Sequence, residues 1–89
     1  MNYIVPFMKK INFPDEAVEC ISSLYEKVKE NEAFCAQFEL LCDVYMCDTG
    51  EVNGFVMNKL KEYAEKYSVN EYTLTMLLLV VCSEKLKVK

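Results

Sequence analysis

The sequence predicts an all-α fold, and three observations support this prediction. Apolar residues recur at helical spacing along most of the chain. No segment shows the alternation of polar and apolar residues that a half-buried strand requires. Residues 76–82 form an unbroken apolar run, which leaves almost two helical turns without a polar face. We therefore expect a single domain over residues 1–89, a small bundle of four main helices and a possible short N-terminal helix, packed around the C-terminal helix.

The first segment, residues 2–11, is compatible with two structures. Its apolar residues are followed by two lysines. Pro6 is tolerated in the first turn of a helix but breaks a helix elsewhere. A short helix and an extended arm therefore both remain open.

The second segment has a clear helix start. Pro14 stands at the expected first helical position and is followed by two acidic residues, which suit the positive end of the helix dipole. The expected helix covers Asp15–Glu30. Its apolar stripe comprises Ala17, Val18, Ile21, Leu24, Tyr25 and Val28. The charged residues between them predict a solvated opposite face.

A third helix is expected over residues 32–46, with Asn31 as its cap. Leu40, Val44 and the cysteines widen its apolar stripe, so we expect it to be packed on two sides. The central stripe comprises Phe34, Phe38, Leu41 and Tyr45.

A loop over residues 47–54 contains both glycines of the chain, and a fourth helix is expected over residues 52–67. The stripe of this helix comprises Val52, Phe55, Val56, Leu60, Tyr63, Ala64 and Tyr67.

The last helix is expected to begin at Ser68, which has Glu71 three residues later as the partner of a capping box. Tyr67 and Tyr72 occupy the flanking positions of a hydrophobic staple. A helix that is apolar all round must be covered on every side. We therefore expect nearly complete burial of Leu77, Leu78, Val81 and Phe38.

Composition limits the classes of partner. Hydrophobic residues make up 53% of the chain and the mean hydropathy is +0.04, which is high for a small domain. A partner, or a further part of the protein, is expected to cover some of this apolar surface. The formal net charge is -4 and every basic residue is a lysine, so nucleic acid is not an expected partner. The longest apolar run is too short to span a membrane.

The cysteines predict core thiols rather than a chemical site. They are odd in number, form no close pair and follow no secretory signal, which favours a reducing cytoplasm, free thiols and no bound metal. The sequence has no histidine to activate a nucleophilic thiol. The five cysteines are Cys20, Cys35, Cys42, Cys47 and Cys82.

Two other candidate sites fail. The loop over residues 48–54 has no register that places acidic residues at both ends of a calcium-binding loop. Paired carboxylates on helices are expected to face solvent; these are Glu16 with Glu19 and Glu62 with Glu65. We therefore expect no catalytic, cofactor-binding or metal-binding residue.

The pattern KLKEYAEKYSVNEYTLTMLLLVVCSEKL, residues 59–86, resembles the N-terminal helical domain of a family of bacterial two-domain acyltransferase-like proteins. The shared feature is a polar-capped aromatic turn that leads into a Leu-rich helix. The resemblance implies a non-catalytic accessory or interaction domain, followed beyond residue 89 by a domain similar to the GNAT acetyltransferases. It transfers no catalytic residue to this chain.

The alternative is a stand-alone helical adaptor or regulatory protein that forms a homodimer. The expected dimer interface includes the N-terminal segment, the end of the last helix, or both. The alternative for the N-terminal segment is that it folds back across the bundle as a fifth helix, and a monomer in solution would favour that arrangement. The apolar residues concerned are Tyr3, Ile4, Val5, Phe7, Leu86 and Val88.

Overall fold

The computed structural model describes residues 4–47 and 53–88, with the side chains of residues 53 and 86–88 excepted. Within these ranges the chain forms only α-helices, as predicted, and the predicted boundaries of the longer helices agree to within three residues. The helices are α1 (Ile4–Lys10), α2 (Asp15–Glu30), α3 (Glu32–Cys47), α4 (Asn53–Lys66) and α5 (Glu71–Val88).

Helix α5 is the only one of these five described helices that contacts all the others. Each of the other four contacts its neighbour in sequence, so α1 to α4 form an arc around α5. The predicted burial is confirmed, because Leu77, Leu78, Val81 and Phe38 are at most 3% exposed. Further side chains that α5 contributes to the core are Leu74, Val80 and Cys82.

The N-terminal segment adopts the fold-back arrangement. Ile4 and Met8 lie one helical turn apart on α1 and are 0% exposed, since α1 packs against both α2 and α5. Pro6 is accommodated in the first turn of the helix. The segment therefore contributes to the core, and the buried Ile4 is not available to the expected dimer interface. The dimer itself stays a prediction. Tyr3 lies outside the described residues.

A single residue connects α2 to α3. The side-chain Oδ1 atom of Asn31 accepts a hydrogen bond from the Phe34 backbone N–H at 3.1 Å, which caps α3 as predicted. The backbone N–H of Asn31 also donates to the Val28 carbonyl at 3.2 Å. The start of α2 differs slightly from the prediction, because Pro14 precedes the first helical residue.

Tyr67 joins the end of α4 to the start of α3. Its ring stacks on Phe34, with 4.0 Å between ring centroids and 8° between ring planes. Its hydroxyl donates a hydrogen bond of 2.7 Å to Oε1 of Gln37. This half-buried tyrosine therefore satisfies its polar group while its ring adds apolar contact.

The end of α4 is closed by a Schellman motif. The backbone N–H of Val69 donates to the Ala64 carbonyl at 2.9 Å, and that of Ser68 donates to the Glu65 carbonyl at 3.4 Å. Ser68 has a φ of 55°, the left-handed conformation that this motif requires. A similar motif ends α1, where Asn12 has a φ of 65°.

The prediction that Ser68 begins α5 is therefore wrong. Asn70 is the cap, because its Oδ1 atom accepts a hydrogen bond from the Thr73 backbone N–H at 3.0 Å. The predicted staple is also wrong, since Tyr72 is 81% exposed. The prediction rested on Ser68 alone, which the closure of α4 occupies; Asn70, two positions later, is also a residue type that caps helices.

Two apolar side chains lie further out than their stripes predicted. Phe55 on α4 is 51% exposed, and Leu40 on α3 is 65% exposed. Both lie at the edge of the contact between α3 and α4, where they line a shared groove. Val52, which was also placed on the α4 stripe, lies outside the described residues.

Replacement of Leu78 by alanine should cost roughly 2–5 kcal/mol of unfolding free energy, because it leaves a cavity where α5 meets the rest of the core. Replacement of the neighbouring Leu79, which is 37% exposed, should cost roughly 1 kcal/mol or less. Denaturant melts of the two variants measure the difference. Equal losses, or a loss below about 0.5 kcal/mol for Leu78→Ala, would contradict the central position of α5.

Replacement of Ser68 by glycine should stabilise the protein by about 0.5–1 kcal/mol, because glycine adopts a positive φ without the steric penalty of a Cβ atom. Ser23, which is exposed inside α2, provides the matched control. There the same change should destabilise the protein by a few tenths of a kcal/mol. Destabilisation by Ser68→Gly in a thermal or denaturant melt would show that Ser68 has a different role.

Candidate interaction surface

Helix α5 carries an exposed apolar stripe, which we call the α5 stripe and define as Tyr72, Met76, Leu79 and Ser83. The first three side chains are 81%, 38% and 37% exposed, and Ser83 is also exposed. The prediction that α5 is covered on every side is therefore wrong along this line. The positions follow a 4-3-4 spacing, which keeps them on one face over about 17 Å of helix.

The α5 stripe lies between two grooves. Thr73, on one side of the stripe, lines a groove that α5 shares with α2. Thr75, on the other side, lines a groove shared with α4, and the stripe residue Leu79 forms part of the same wall. The stripe between these grooves is left to solvent.

An apolar groove adjoins the α5 stripe on the side of α4. Its volume is about 340 Å³, and Leu79 and the half-exposed Met57 form part of its wall. The other lining residues are Tyr45, Val56, Leu60, Thr75 and Leu78. Since none of these side chains is charged, an apolar group can enter the groove without displacing an ion from water.

The surface has no charge along its length. Residues 72–83 contain no acidic or basic side chain, and the flanking positions are threonine, valine and cysteine. Tyr72 and Ser83 supply the only polar groups of the stripe, one at each end. The arrangement can bury apolar surface, but it provides no acid, base or nucleophile for a reaction.

A second apolar groove, of about 250 Å³, lies between α3 and α4. It differs from the first because Lys59 lies beside it, with its Nζ atom 5.7 Å from the centroid of the Phe55 ring. The same ammonium group forms an ion pair of 3.4 Å with Glu62. A charged and hydrated edge makes this groove a poorer apolar contact surface than the α5 stripe.

A larger open groove, of about 510 Å³, separates α2 from the start of α5. Its lining mixes charged, hydroxyl and thiol groups, among them Glu19, Cys20 and Lys27. The Asn70 side chain at its edge is already engaged in capping α5. With no histidine in the sequence, the Cys20 thiol lacks the usual base of a nucleophilic site.

The cysteines divide into two groups, so the prediction of core thiols is only partly confirmed. Cys42 and Cys82 are buried, and Cys35 is half-buried. Cys20 and Cys47 are exposed, for which the prediction is wrong. Cys20 lies just outside the apolar stripe of α2, and Cys47 is the last residue of α3, so neither faces the core.

The buried thiols of α3 and α5 meet in the core. The Sγ atom of Cys82 lies 3.9 Å from the Cys42 carbonyl oxygen. A hydrogen bond with the Cys82 thiol, followed by burial, raises the pKa of Cys42. Burial, then the nearby Glu39 carboxylate, raises the pKa of Cys35. These effects oppose formation of the reactive thiolate at Cys42 and Cys35.

The other candidate residues are not brought together into a site in the described part of the chain. The predicted exposure of Glu16, Glu19, Glu62 and Glu65 is confirmed. In the described part of the chain, no three His, Cys, Asp or Glu side chains lie close enough to hold a metal ion. Most of the loop over residues 48–54 lies outside the described residues. No described helix has both the length and the apolar character needed to cross a bilayer.

The α5 stripe was not predicted as an exposed surface, although its signal is present in the sequence. The 4-3-4 spacing without any charge is visible at positions 72, 76, 79 and 83. Every other face of α5 is equally apolar over residues 76–82, so spacing alone cannot identify the uncovered one. That choice depends on how the other helices pack around α5, which is a tertiary property.

A thiol-alkylating reagent should modify Cys20 and Cys47 quickly in the native protein and leave Cys42 and Cys82 unmodified until the protein unfolds. The reason is burial of the second pair, together with the raised pKa of Cys42. Mass spectrometry of digested samples, taken over time with and without denaturant, identifies the modified residues. Rapid native labelling of Cys42 would contradict the core position of this pair.

The comparisons with known proteins do not assign this chain to a family. No protein-family model, no curated protein and no solved structure matches this chain. The resemblance to acyltransferase-like N-terminal domains therefore stays a prediction, and the α5 stripe is the feature on which a functional proposal can be built.

Proposed function

We propose that this protein is a non-catalytic helical interaction domain that binds a protein partner through the α5 stripe and the adjoining groove. The observation that carries the proposal is the exposure of three large apolar side chains on an otherwise core-forming helix. Large contiguous apolar patches are uncommon on soluble monomers, and the largest patch of a monomer is often a functional surface.

The composition supports a binding role over an enzymatic one. The chain has no histidine that could activate a thiol. Cys42 and Cys82 are buried in the core, and Cys20 and Cys47 are exposed. All the charged side chains of α2 and α4 except that of Lys59 are exposed. The α5 stripe, in contrast, has the uncharged and aromatic-containing character of the centre of a protein interface.

The resemblance to the helical N-terminal module of acyltransferase-like proteins supports the same role. In such a protein the transferase chemistry would belong to a domain beyond residue 89, and this module would act as an accessory domain. A stand-alone adaptor that forms a homodimer is the alternative, and it uses the same exposed surface. We also propose a cytoplasmic location, for which the free cysteines are the one line of support.

Paired replacement of Met76 and Leu79 by glutamine should leave the protein folded, at a cost of about 1–2 kcal/mol, because both side chains already reach solvent. The matched control replaces the buried neighbours Leu77 and Val80, which have the same spacing. That pair should abolish folding, because it buries two amides without partners. Circular dichroism and denaturant melts measure both results.

A dye that becomes fluorescent on apolar surfaces, such as an anilinonaphthalene sulfonate, tests whether the stripe is accessible. We expect the native protein to bind the dye and the Met76/Leu79 glutamine variant to bind less. Unfolding of that variant would show that the stripe belongs to the core, and unchanged dye binding would show that the accessible apolar surface lies elsewhere. Either result would contradict the proposed function.

A further inference from the structure

We infer that the partner bound by the α5 stripe is a second copy of this chain, with the two α5 helices packed antiparallel across a two-fold axis. This inference rests on the proposed function, because it uses the same surface and names its occupant. It also moves the dimer interface away from the N-terminal segment, because that segment forms α1 and its residues Ile4 and Met8 are buried in the core.

The spacing of the stripe is that of a helix–helix seam. The stripe residues, at intervals of four, three and four, take alternating d and a positions of a heptad. Residues at these positions form the contact line when two helices pack side by side. The α5 positions on either side of the seam carry Thr73, Thr75, Val80 and Cys82, so no charged residue of α5 borders it.

The shape of the stripe is self-complementary only in the antiparallel orientation. Its side chains taper from Tyr72 at one end to Ser83 at the other. An antiparallel pair places the large end of one copy against the small end of the other, and Met76 opposite the second copy's Leu79. A parallel pair would place tyrosine against tyrosine and hold the helices apart at that end. Opposed helix dipoles favour the same orientation.

The groove beside Leu79 provides space for this contact. Because Met76 of one copy lies opposite Leu79 of the other, its side chain can enter the groove that Leu79 shares with Met57. Methionine is flexible and unbranched, which suits it to fill a groove of irregular shape. The two-fold axis repeats the insertion, so each copy both donates a side chain and receives one.

Charge favours a second copy over an oppositely charged partner. The α5 residues of the seam are neutral, so the two α5 helices meet without charge repulsion, and the charged groups that line the neighbouring groove, Glu19 and Lys27, lie across it on α2. The three apolar side chains of the stripe are 81%, 38% and 37% exposed, so each copy brings only a small apolar area to the contact. A standard interface buries about 800 Å² per partner, so we expect a weak dimer with a dissociation constant in the micromolar range.

Sedimentation velocity of the whole chain tests the inference, over concentrations from about 5 to about 500 µM, a range that brackets micromolar association. We expect the native protein to shift from monomer to dimer and Met76→Glu to remain monomeric, because the dimer would bury its carboxylate. The matched control is Leu40→Glu, which changes a more exposed leucine on α3. It should dimerise as the native protein does. Circular dichroism verifies that both variants are folded.

A further variant tests the orientation. Ser83→Tyr should weaken the dimer at least tenfold, because an antiparallel pair would then meet tyrosine against tyrosine at both ends. Adding Tyr72→Ser reverses the taper and should restore association. If Ser83→Tyr strengthens the dimer or leaves it unchanged, the antiparallel arrangement is wrong.

The remaining outcomes separate this inference from the proposed function. A native protein that is monomeric throughout the concentration range overturns the second copy as the partner. The tolerance of the Met76/Leu79 glutamine variant and its reduced dye binding would still support an interaction domain with a different partner. Loss of the dimer in Leu40→Glu but not in Met76→Glu would place the interface at the groove between α3 and α4, which also overturns the inference.

Discussion

The fold depends on the requirement to cover a helix that has almost no polar face. From Leu74 to Cys82, helix α5 has no charged side chain, and six of these nine residues are buried. An exposed helix of this composition would be unfavourable in water, since each apolar side chain gains roughly 1.5–3 kcal/mol on full burial. The other helices meet this requirement by packing in an arc around α5, so α5 is the shared surface through which they form one core.

The arc does not cover α5 completely, and the proposed function follows from the part that it leaves exposed. Four helices joined by short connections pack against their neighbours in sequence, from α1 through α4. The α5 stripe stays uncovered between the grooves that α5 shares with α2 and with α4. A domain of this size has a limited area with which to cover its own apolar residues. We propose that binding of a partner completes this cover.

The sequence predicted the longer helices well because each has a strong local signal, whereas the segment that forms α1 was also compatible with an extended arm. The stripe of α2 and the Asn31 cap are local patterns that tertiary packing leaves unchanged. The start of α5 was predicted wrongly because Ser68 and Asn70 are both good caps, and only the closure of α4 assigns Ser68 to the preceding helix. Similarly, periodicity cannot show that Phe55 lies at the edge of a helix contact rather than inside it. The exposed site depends on how the other helices pack around α5, a property without a local signal.

Native-state hydrogen exchange of the backbone amides of α5 tests the central position of this helix most directly. If α5 is the surface on which the core assembles, the amides of residues 77–82 should exchange only when the whole protein unfolds. Their exchange free energies should then equal the unfolding free energy from denaturant melts, and amides of α1 should exchange through smaller openings. Exchange of the α5 amides at free energies well below that of global unfolding, with α2 or α3 more protected, would contradict this account.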